Sequence, residues 1–170
     1  MLRPDTMIPF LVLAGLAACA ATPPAGPGTG PTAITVSEQP CFGVCPVYSM
    51  TVTPDDRYVL DGERFTRTEG RSEGQLPTGS FGRMVTALQA ADFTAIPGEI
   101  THGSEACGQP VASDLPTTII ATDGPVAHDV VWYQGCFGTP WRDGLATLRD
   151  TLHQAYRYDQ LVAPPQDKRR

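Results

Sequence analysis

The chain has 170 residues, of which 41% are hydrophobic and 18% are charged, and this is the size and composition of one globular domain. Its 18 acidic side chains outnumber 12 basic ones, and the net charge of −6 argues against binding to the phosphate backbone of nucleic acids. Glycine and proline contribute 17 residues each, together well above their usual share of about 12%. We therefore expect many turns, few helices and at least one unstructured segment.

The N-terminal region carries an export signature. Residues 8–21 form an uncharged, mostly apolar run of 14 residues, which is shorter than the roughly 20 residues that a helix needs to cross a bilayer core and is typical of a secretory signal. The run contains L-A-A-C at residues 16–19, which resembles the lipobox of bacterial lipoprotein precursors. The resemblance implies cleavage before Cys19 and lipidation of its thiol, with the acyl chains as a membrane anchor. Because Ala20 and not aspartate follows the cysteine, it also implies the periplasmic face of an outer membrane.

Composition separates a linker from a folded part. Residues 20–33 include seven prolines or glycines and no charged side chain, so we expect a disordered tether that spans roughly 40 Å when extended at ~3.1 Å per residue. The predicted organisation is a signal peptide over 1–18, a lipidated N-terminus and tether over 19–33, a single α+β domain over 34–160 and a polar tail over 161–170.

Strands dominate the first half of the predicted domain. Residues 47–53 alternate between apolar and small polar side chains, which is the period of a strand with one buried face. Residues 58–61 and 64–69 continue this strand as an antiparallel meander, with a D-G turn at 61–62. Residues 33–37 are expected to add an edge strand.

The second half predicts a helix followed by a hairpin. The helix is capped near Thr78 or Ser80, carries apolar residues at i, i+3, i+4 and i+7, and ends before Pro97. Residues 116–122 and 126–133 contain many β-branched side chains and predict two strands joined across a D-G-P turn.

The last predicted element is a helix with Thr139 as its N-cap and Pro140 as its first residue. It is expected to end near Tyr158, and its apolar stripe comprises Trp141, Leu145, Leu148, Leu152 and Tyr156. Strands followed by a helix, twice over and with short connections, favour an α+β fold. We expect an antiparallel β-sheet of about five to six strands with two α-helices packed on one face, stapled by disulfides.

Three short motifs resemble those of one protein family. They are C-F-G-x-C-P-V-Y over residues 41–48, D-x-P over 114–116 and Y-Q-G-C over 133–136. Together they resemble domain-of-unknown-function family 6438, over about residues 34–158. The resemblance implies a shared fold and an exported protein, and it brings no established activity.

Five cysteines occur in the chain, and with Cys19 assigned to lipidation four remain. An even number of cysteines in an exported domain favours disulfides, because the periplasm is oxidising. Of the three possible pairings we favour Cys41 with Cys45, which a glycine between them allows, and Cys107 with Cys136, which flank the second hairpin. A redox role for Cys41 and Cys45 is the alternative, although the strand predicted after them supplies no helix dipole to stabilise a thiolate.

Other candidate chemistry is sparse. G-R-S-E-G at residues 70–74 matches the pattern that holds a nucleophilic serine on a strand-to-helix turn. Ser72 is therefore a candidate hydrolase residue, although we favour a solvated hairpin bend. His128 and Asp129 are adjacent in a predicted strand, so they point to opposite faces and cannot act on one proton. His153 is expected to lie in solvent. No metal site is expected, because the three histidines are scattered along the chain.

The sequence thus predicts an exported, lipid-anchored protein of the bacterial cell envelope that acts as a binding or accessory module without catalysis. Its expected partners are the membrane, contacted through the N-terminal lipid, and an unknown envelope protein or small ligand. Neither nucleic acid nor a cofactor is expected. The alternative is an envelope enzyme that acts through Ser72 as a hydrolase, or through Cys41 and Cys45 by thiol–disulfide chemistry.

Overall fold

The computed structural model describes residues 29–164, which form an α+β fold with a seven-stranded mixed sheet. The predicted signal peptide, the lipidation site Cys19 and the last residues of the predicted tail lie outside this range. The strands are β1 (Ala33–Glu38), β2 (Val47–Val52), β3 (Arg57–Arg64), β4 (Gly70–Gln75), β5 (Glu99–Ile100), β6 (Thr117–Asp123) and β7 (His128–Tyr133). The helices are α1 (Ser80–Ala90), α2 (Arg142–Ala155) and α3 (Tyr158–Leu161), with 3₁₀ turns at Phe93–Ala95 and Glu105–Cys107.

The first strand, β1, lies at the centre of the sheet. The strand order is β4-β3-β2-β1-β6-β7-β5, so β1 pairs with β2 on one side and with β6 on the other, both antiparallel. The expected edge position of residues 33–37 is therefore wrong. Ile34 and Val36 are fully buried, and pairing on both sides satisfies the backbone groups of this buried strand.

Three further expectations about the sheet need correction. The strand count is seven instead of five or six, and the sheet is mixed because β5 runs parallel to β7. At two residues, β5 is too short to leave an alternating pattern in the sequence. The D-G dipeptide at 61–62 does not turn the chain but lies inside β3, where Asp61 pairs with Arg71. The chain reverses after Arg64 instead, where Phe65 adopts a positive φ of 56°.

The core lies between one face of the sheet and the two long helices. Alternate residues of the central strands, such as Ile34, Val36 and Met50, are buried and join the apolar stripes of both helices in one cluster. The buried helical members of the cluster are Phe81, Met84, Leu88, Leu145, Leu148, Leu152 and Ala155. Burial stabilises the fold by about 1.5–3 kcal/mol for each large apolar side chain.

The N-terminus of α1 is capped by a distant residue. Asp56, in the β2–β3 turn, accepts hydrogen bonds from the backbone N–H groups of Gly79 and Phe81, each at 2.7 Å. The predicted cap at Thr78 or Ser80 is wrong, since α1 has no local side-chain cap. A carboxylate at this position satisfies two of the free N–H groups and complements the helix dipole.

The C-terminal helical region is divided in two. The predicted N-cap Thr139 and first residue Pro140 are wrong, because α2 begins at Arg142 with Trp141 at the N-cap position and has no side-chain cap. Arg157 adopts a positive φ of 61°, which interrupts the helix before α3. None of the helices in residues 29–164 has the length and apolar composition needed to cross a bilayer.

Two disulfides close loops of very different size. Cys41 is bonded to Cys45 and Cys107 to Cys136, the pairing that the sequence favours. The Cys107–Cys136 bridge is buried in the core cluster, whereas the Cys41–Cys45 loop is exposed at its tip.

Candidate functional site

The candidate site is a cleft at one end of the sheet. At one end, here called the cleft end, β1 finishes at Glu38 and β6 begins at Thr117; at the distal end β1 begins at Ala33 and β6 finishes at Asp123. The cleft end contains an open cleft of about 290 Å³. It is lined by Glu38, Cys45, Pro46, Pro116, Gln134, Arg149, His153 and Tyr158.

All three family-like motifs contribute to the cleft. Pro46 comes from the first motif, Pro116 from the second and Gln134 from the third. The first two motifs also touch directly, because the backbone N–H of Phe42 donates to the carbonyl oxygen of Asp114 at 3.2 Å. Segments that are far apart in the chain thus meet at one place in the fold.

Glu38 is a buried carboxyl at the floor of this cleft. It follows Ile34 and Val36 on the buried face of β1, and only 7% of it is exposed. Its Oε1 accepts a hydrogen bond from the Thr118 hydroxyl at 3.1 Å, and its Oε2 accepts one from Gln134 Nε2 at 3.2 Å. Burial raises the pKa of Glu38 to about 7, against the opposing effects of the Arg149 charge and the Thr118 hydrogen bond.

His153 faces Glu38 from α2. Its Nε2 lies 3.8 Å from Glu38 Oε1. Burial lowers the pKa of His153 to about 4, and the nearby Arg149 charge acts in the same direction. The imidazole is therefore uncharged at neutral pH, and its contact with Glu38 is not an ion pair. The expectation that His153 lies in solvent is wrong, because α2 packs this side chain against the end of the sheet.

Aromatic side chains surround the pair. The Tyr48 hydroxyl lies 2.7 Å from that of Tyr156 and 3.1 Å from His153 Nε2. The His153 ring stacks on Tyr158 with a centroid distance of 4.2 Å and an interplanar angle of 3°. Burial raises the pKa values of Tyr48 and Tyr156 well above their ordinary range, so both hydroxyls stay protonated.

Arg149 is the cation of the cleft. Its Nη1 donates to Gln134 Oε1 at 2.9 Å, while Nε and Nη2 donate to Asp150. Gln134 thereby connects the guanidinium to Glu38 through its own amide. Within residues 29–164 no ion pair joins Glu38 directly to Arg149.

The other residues singled out in the sequence lie apart from the cleft. Ser72 is in the edge strand β4, paired with Leu60, so neither a strand-to-helix turn nor the favoured hairpin bend is present. His128 Nε2 is 2.9 Å from the Ile96 carbonyl oxygen and the ring packs edge-on against Phe93, which is a packing role. In residues 29–164 no group of three or more His, Cys, Asp or Glu side chains is placed to hold a metal ion.

A larger groove of about 1000 Å³ lies between α1 and α2. Three threonines that line it, Thr86, Thr147 and Thr151, donate their hydroxyls to carbonyls one turn back in their own helices. Their hydroxyls are therefore satisfied within their own helices, and the groove offers mainly apolar contact. The buried carboxyl, the histidine and the guanidinium lie in the smaller cleft.

Sequence reasoning missed the main residues of the cleft, which are Glu38, Gln134, Arg149, His153 and Tyr158. One signal was available for Glu38, since it continues the i, i+2 alternation of Ile34 and Val36 and so falls on the buried face of β1. A carboxyl on a buried face is uncommon and marks a candidate functional residue.

Comparison with known proteins agrees with the motif resemblance. The family described as Domain of unknown function (DUF6438) matches the chain over residues 32–156. A search among curated proteins finds no match. The matched region includes the whole sheet and α2, and it ends within the aromatic cluster beside the cleft. Because the match covers most of its length, the chain belongs to the DUF6438 family.

Proposed function

We propose that this protein is an exported lipoprotein of the bacterial cell envelope whose folded part is a binding module, and that the cleft is its binding site. The observation that carries the proposal is the convergence on one cleft of a buried carboxyl, an uncharged and partly buried histidine, and residues from all three family motifs. Desolvating such groups opposes folding, so their placement beside a cleft points to a ligand that interacts with them.

The surface around the cleft supports a binding role. Four of the five large hydrophobic side chains exposed in residues 29–164 lie at the cleft end: Phe42 at 87%, Val44 at 66%, Phe137 at 40% and Phe65 at 38%. Phe42 and Val44 sit at the tip of the Cys41–Cys45 loop, which the disulfide constrains. Apolar side chains held in a constrained loop lose little conformational entropy when a partner covers them.

The position of the cleft also fits a tethered module. The chain enters the domain at Ala33, at the distal end, and β1 carries it to Glu38 at the cleft end. With residues 1–18 as signal peptide and 19–33 as lipidated tether, the cleft would face away from the point of attachment. The enzymatic alternatives have less support, because Ser72 lies in an edge strand and Cys41 and Cys45 precede a strand.

Photo-crosslinking in cells tests the site. A benzoylphenylalanine in place of Phe42 should give an adduct on irradiation, whereas the same residue in place of Val126, which is exposed at the distal end, should not. Intact mass spectrometry of the purified chain detects both small-molecule and protein adducts. Equal labelling at the two positions, or no adduct at either, would contradict a binding site at the cleft end.

The lipid anchor has a separate test. Cys19→Ser should abolish incorporation of radiolabelled fatty acid and leave an unprocessed precursor, because the thiol is the acceptor of the diacylglyceryl group. Cys41→Ser serves as the matched control and should still be labelled. Fatty-acid incorporation into the Cys19→Ser chain would exclude lipidation at this residue.

A further inference from the structure

We propose that the cleft binds a small zwitterion, a molecule that carries an ammonium group and a carboxylate close together, as an α-amino acid does. The inference rests on the proposed binding function and names the ligand class for the same site. It is carried by two groups of opposite charge type, Glu38 and Arg149, that line one cleft without pairing with each other.

Glu38 supplies the acceptor for an ammonium group. A carboxylate has about four lone-pair positions, and the hydrogen bonds from Thr118 and Gln134 occupy two of them. His153 lies 3.8 Å away but is held uncharged by its burial, so it does not neutralise the carboxylate. An ammonium ion in the cleft would give Glu38 a charged partner in a largely desolvated place, where such hydrogen bonds are strong.

Arg149 supplies the donors for a carboxylate. Of the five N–H donors of a guanidinium, one is directed at Gln134 and two at Asp150. One N–H therefore remains on each of Nη1 and Nη2, and a carboxylate can accept charge-assisted hydrogen bonds from such donors. The Arg149 side chain lines the cleft and is 23% exposed, so it is accessible to a ligand.

The Gln134 amide fixes the distance between the two groups. Its Nε2 donates to Glu38 at 3.2 Å and its Oε1 accepts from Arg149 at 2.9 Å. The two charged groups thus lie on either side of one amide group and line the same small cleft, so that one small ligand can contact both. A simple anion would be repelled by ionised Glu38, and a simple cation would leave the remaining N–H donors of Arg149 unused, whereas a zwitterion contacts both groups.

The size and walls of the cleft favour a small ligand. Its volume of about 290 Å³ is at the lower limit of the roughly 300–1,000 Å³ found for ligand pockets. Pro46, Pro116 and Tyr158 give it apolar and aromatic walls, and the Tyr158 ring is backed by His153. These walls would contact the side chain of the bound amino acid.

Binding should release a proton. At neutral pH part of the Glu38 population is protonated, and the O–H proton passes to solvent when an ammonium group takes its place. The other charged or titratable groups that face Glu38 are Arg149, Asp150, His153, Tyr48, Tyr156 and Tyr158. With a Glu38 pKa of about 7, affinity for the ammonium form should rise about tenfold between pH ~6 and pH ~8.

Titration calorimetry on the full chain, purified in detergent, tests the proposal with L-alanine and D-alanine as probes. At least one enantiomer should bind, and acetate and methylammonium should each bind at least tenfold more weakly. Nε-acetyl-lysine carries the same zwitterion on a longer side chain. Binding of this probe would indicate that the cleft accepts larger molecules that end in the zwitterion, whereas binding of alanine alone would indicate a small free amino acid.

Glu38→Gln and Arg149→Gln should each weaken alanine binding at least tenfold. Glu63→Gln and Arg71→Gln, which change exposed residues at the same end, are the matched controls, and thermal unfolding verifies that each variant is folded. Absence of heat with both alanine enantiomers at millimolar concentration overturns the proposal, as does acetate or methylammonium binding as tightly as alanine. If crosslinking at position 42 persists while alanine fails to bind, the ligand class is rejected and the binding function stands.

Discussion

Replacing Glu38 by glutamine should stabilise the domain by an amount that grows with pH. The pKa of Glu38 is about 7 in the folded protein against an ordinary value of 4.5. The folded state therefore holds this proton more tightly than the unfolded state, and ionisation destabilises the fold as pH rises above 4.5, with the full effect reached just above pH 7. At about 1.36 kcal/mol per pH unit, the full effect is about 3 kcal/mol.

His153 should show the opposite dependence. Its pKa is about 4 in the folded protein against an ordinary value of 6.5. Protonation therefore destabilises the fold as pH falls below 6.5, and the effect is again about 3 kcal/mol once pH is below 4. The two effects oppose each other. The combined contribution of Glu38 and His153 to the unfolding free energy of the wild type should therefore change little between pH ~4 and pH ~8. Each single substitution should reveal the slope of the remaining partner.

The assay is urea unfolding of the wild type, Glu38→Gln, His153→Gln and the exposed control Glu63→Gln across this pH range. Altered hydrogen bonding in a variant changes its unfolding free energy by an amount that does not depend on pH. The quantity to compare is therefore the stability of the variant relative to wild type at the alkaline end of the range minus the same difference at the acidic end. Relative to wild type, Glu38→Gln should gain about 3 kcal/mol at the alkaline end and His153→Gln a similar amount at the acidic end. A Glu38→Gln profile parallel to that of the wild type would refute the burial argument.

Three further predictions concern stability in urea at neutral pH. Asp56→Ala should cost about 1–2 kcal/mol, because two N–H groups of α1 lose their acceptor; a smaller loss than the exposed Asp61→Ala control would contradict the cap. Opening the Cys107–Cys136 bridge by a double Ala substitution should cost about 3.6 kcal/mol and opening Cys41–Cys45 about 2 kcal/mol, following loop length; the reverse order would contradict the loop-entropy account. Tyr48→Phe should cost about 1–2 kcal/mol, since its hydroxyl contacts the buried Tyr156 and the partly buried His153, and an unchanged midpoint would show that these contacts are not stabilising.

Local sequence patterns predicted much of the secondary structure. The alternation at 47–53 is β2, the apolar stripe of α1 is a helix, and the second hairpin is β6 and β7. The predicted D-G turn at 61–62 was wrong because pairing with β4 on one side and β2 on the other keeps this dipeptide in a strand. The turn propensity of one dipeptide is weaker than hydrogen bonding to two neighbouring strands, and residue propensities do not include that pairing.

The cleft illustrates what local patterns cannot predict. His153 occupies a helical position that reads as polar surface, and only the packing of α2 against the end of β1 places it beside Glu38. Gln134 lies just after a strand and Arg149 lies within a helix. Nothing in their spacing indicates that the Gln134 amide connects Arg149 to Glu38. Contacts between residues 38, 134 and 153 depend on the order of strands in the sheet.

The sequence by itself determined the α+β class, the family, most of the helices and strands, and the favoured cysteine pairing, because these depend on periodicity, short motifs and spacing along the chain. The tertiary structure decided that β1 is central, that Asp56 caps α1 and that a carboxyl, an imidazole and a guanidinium share one cleft. The physical reason is burial: the raised pKa of Glu38 and the lowered pKa of His153 arise when distant segments exclude water from both groups.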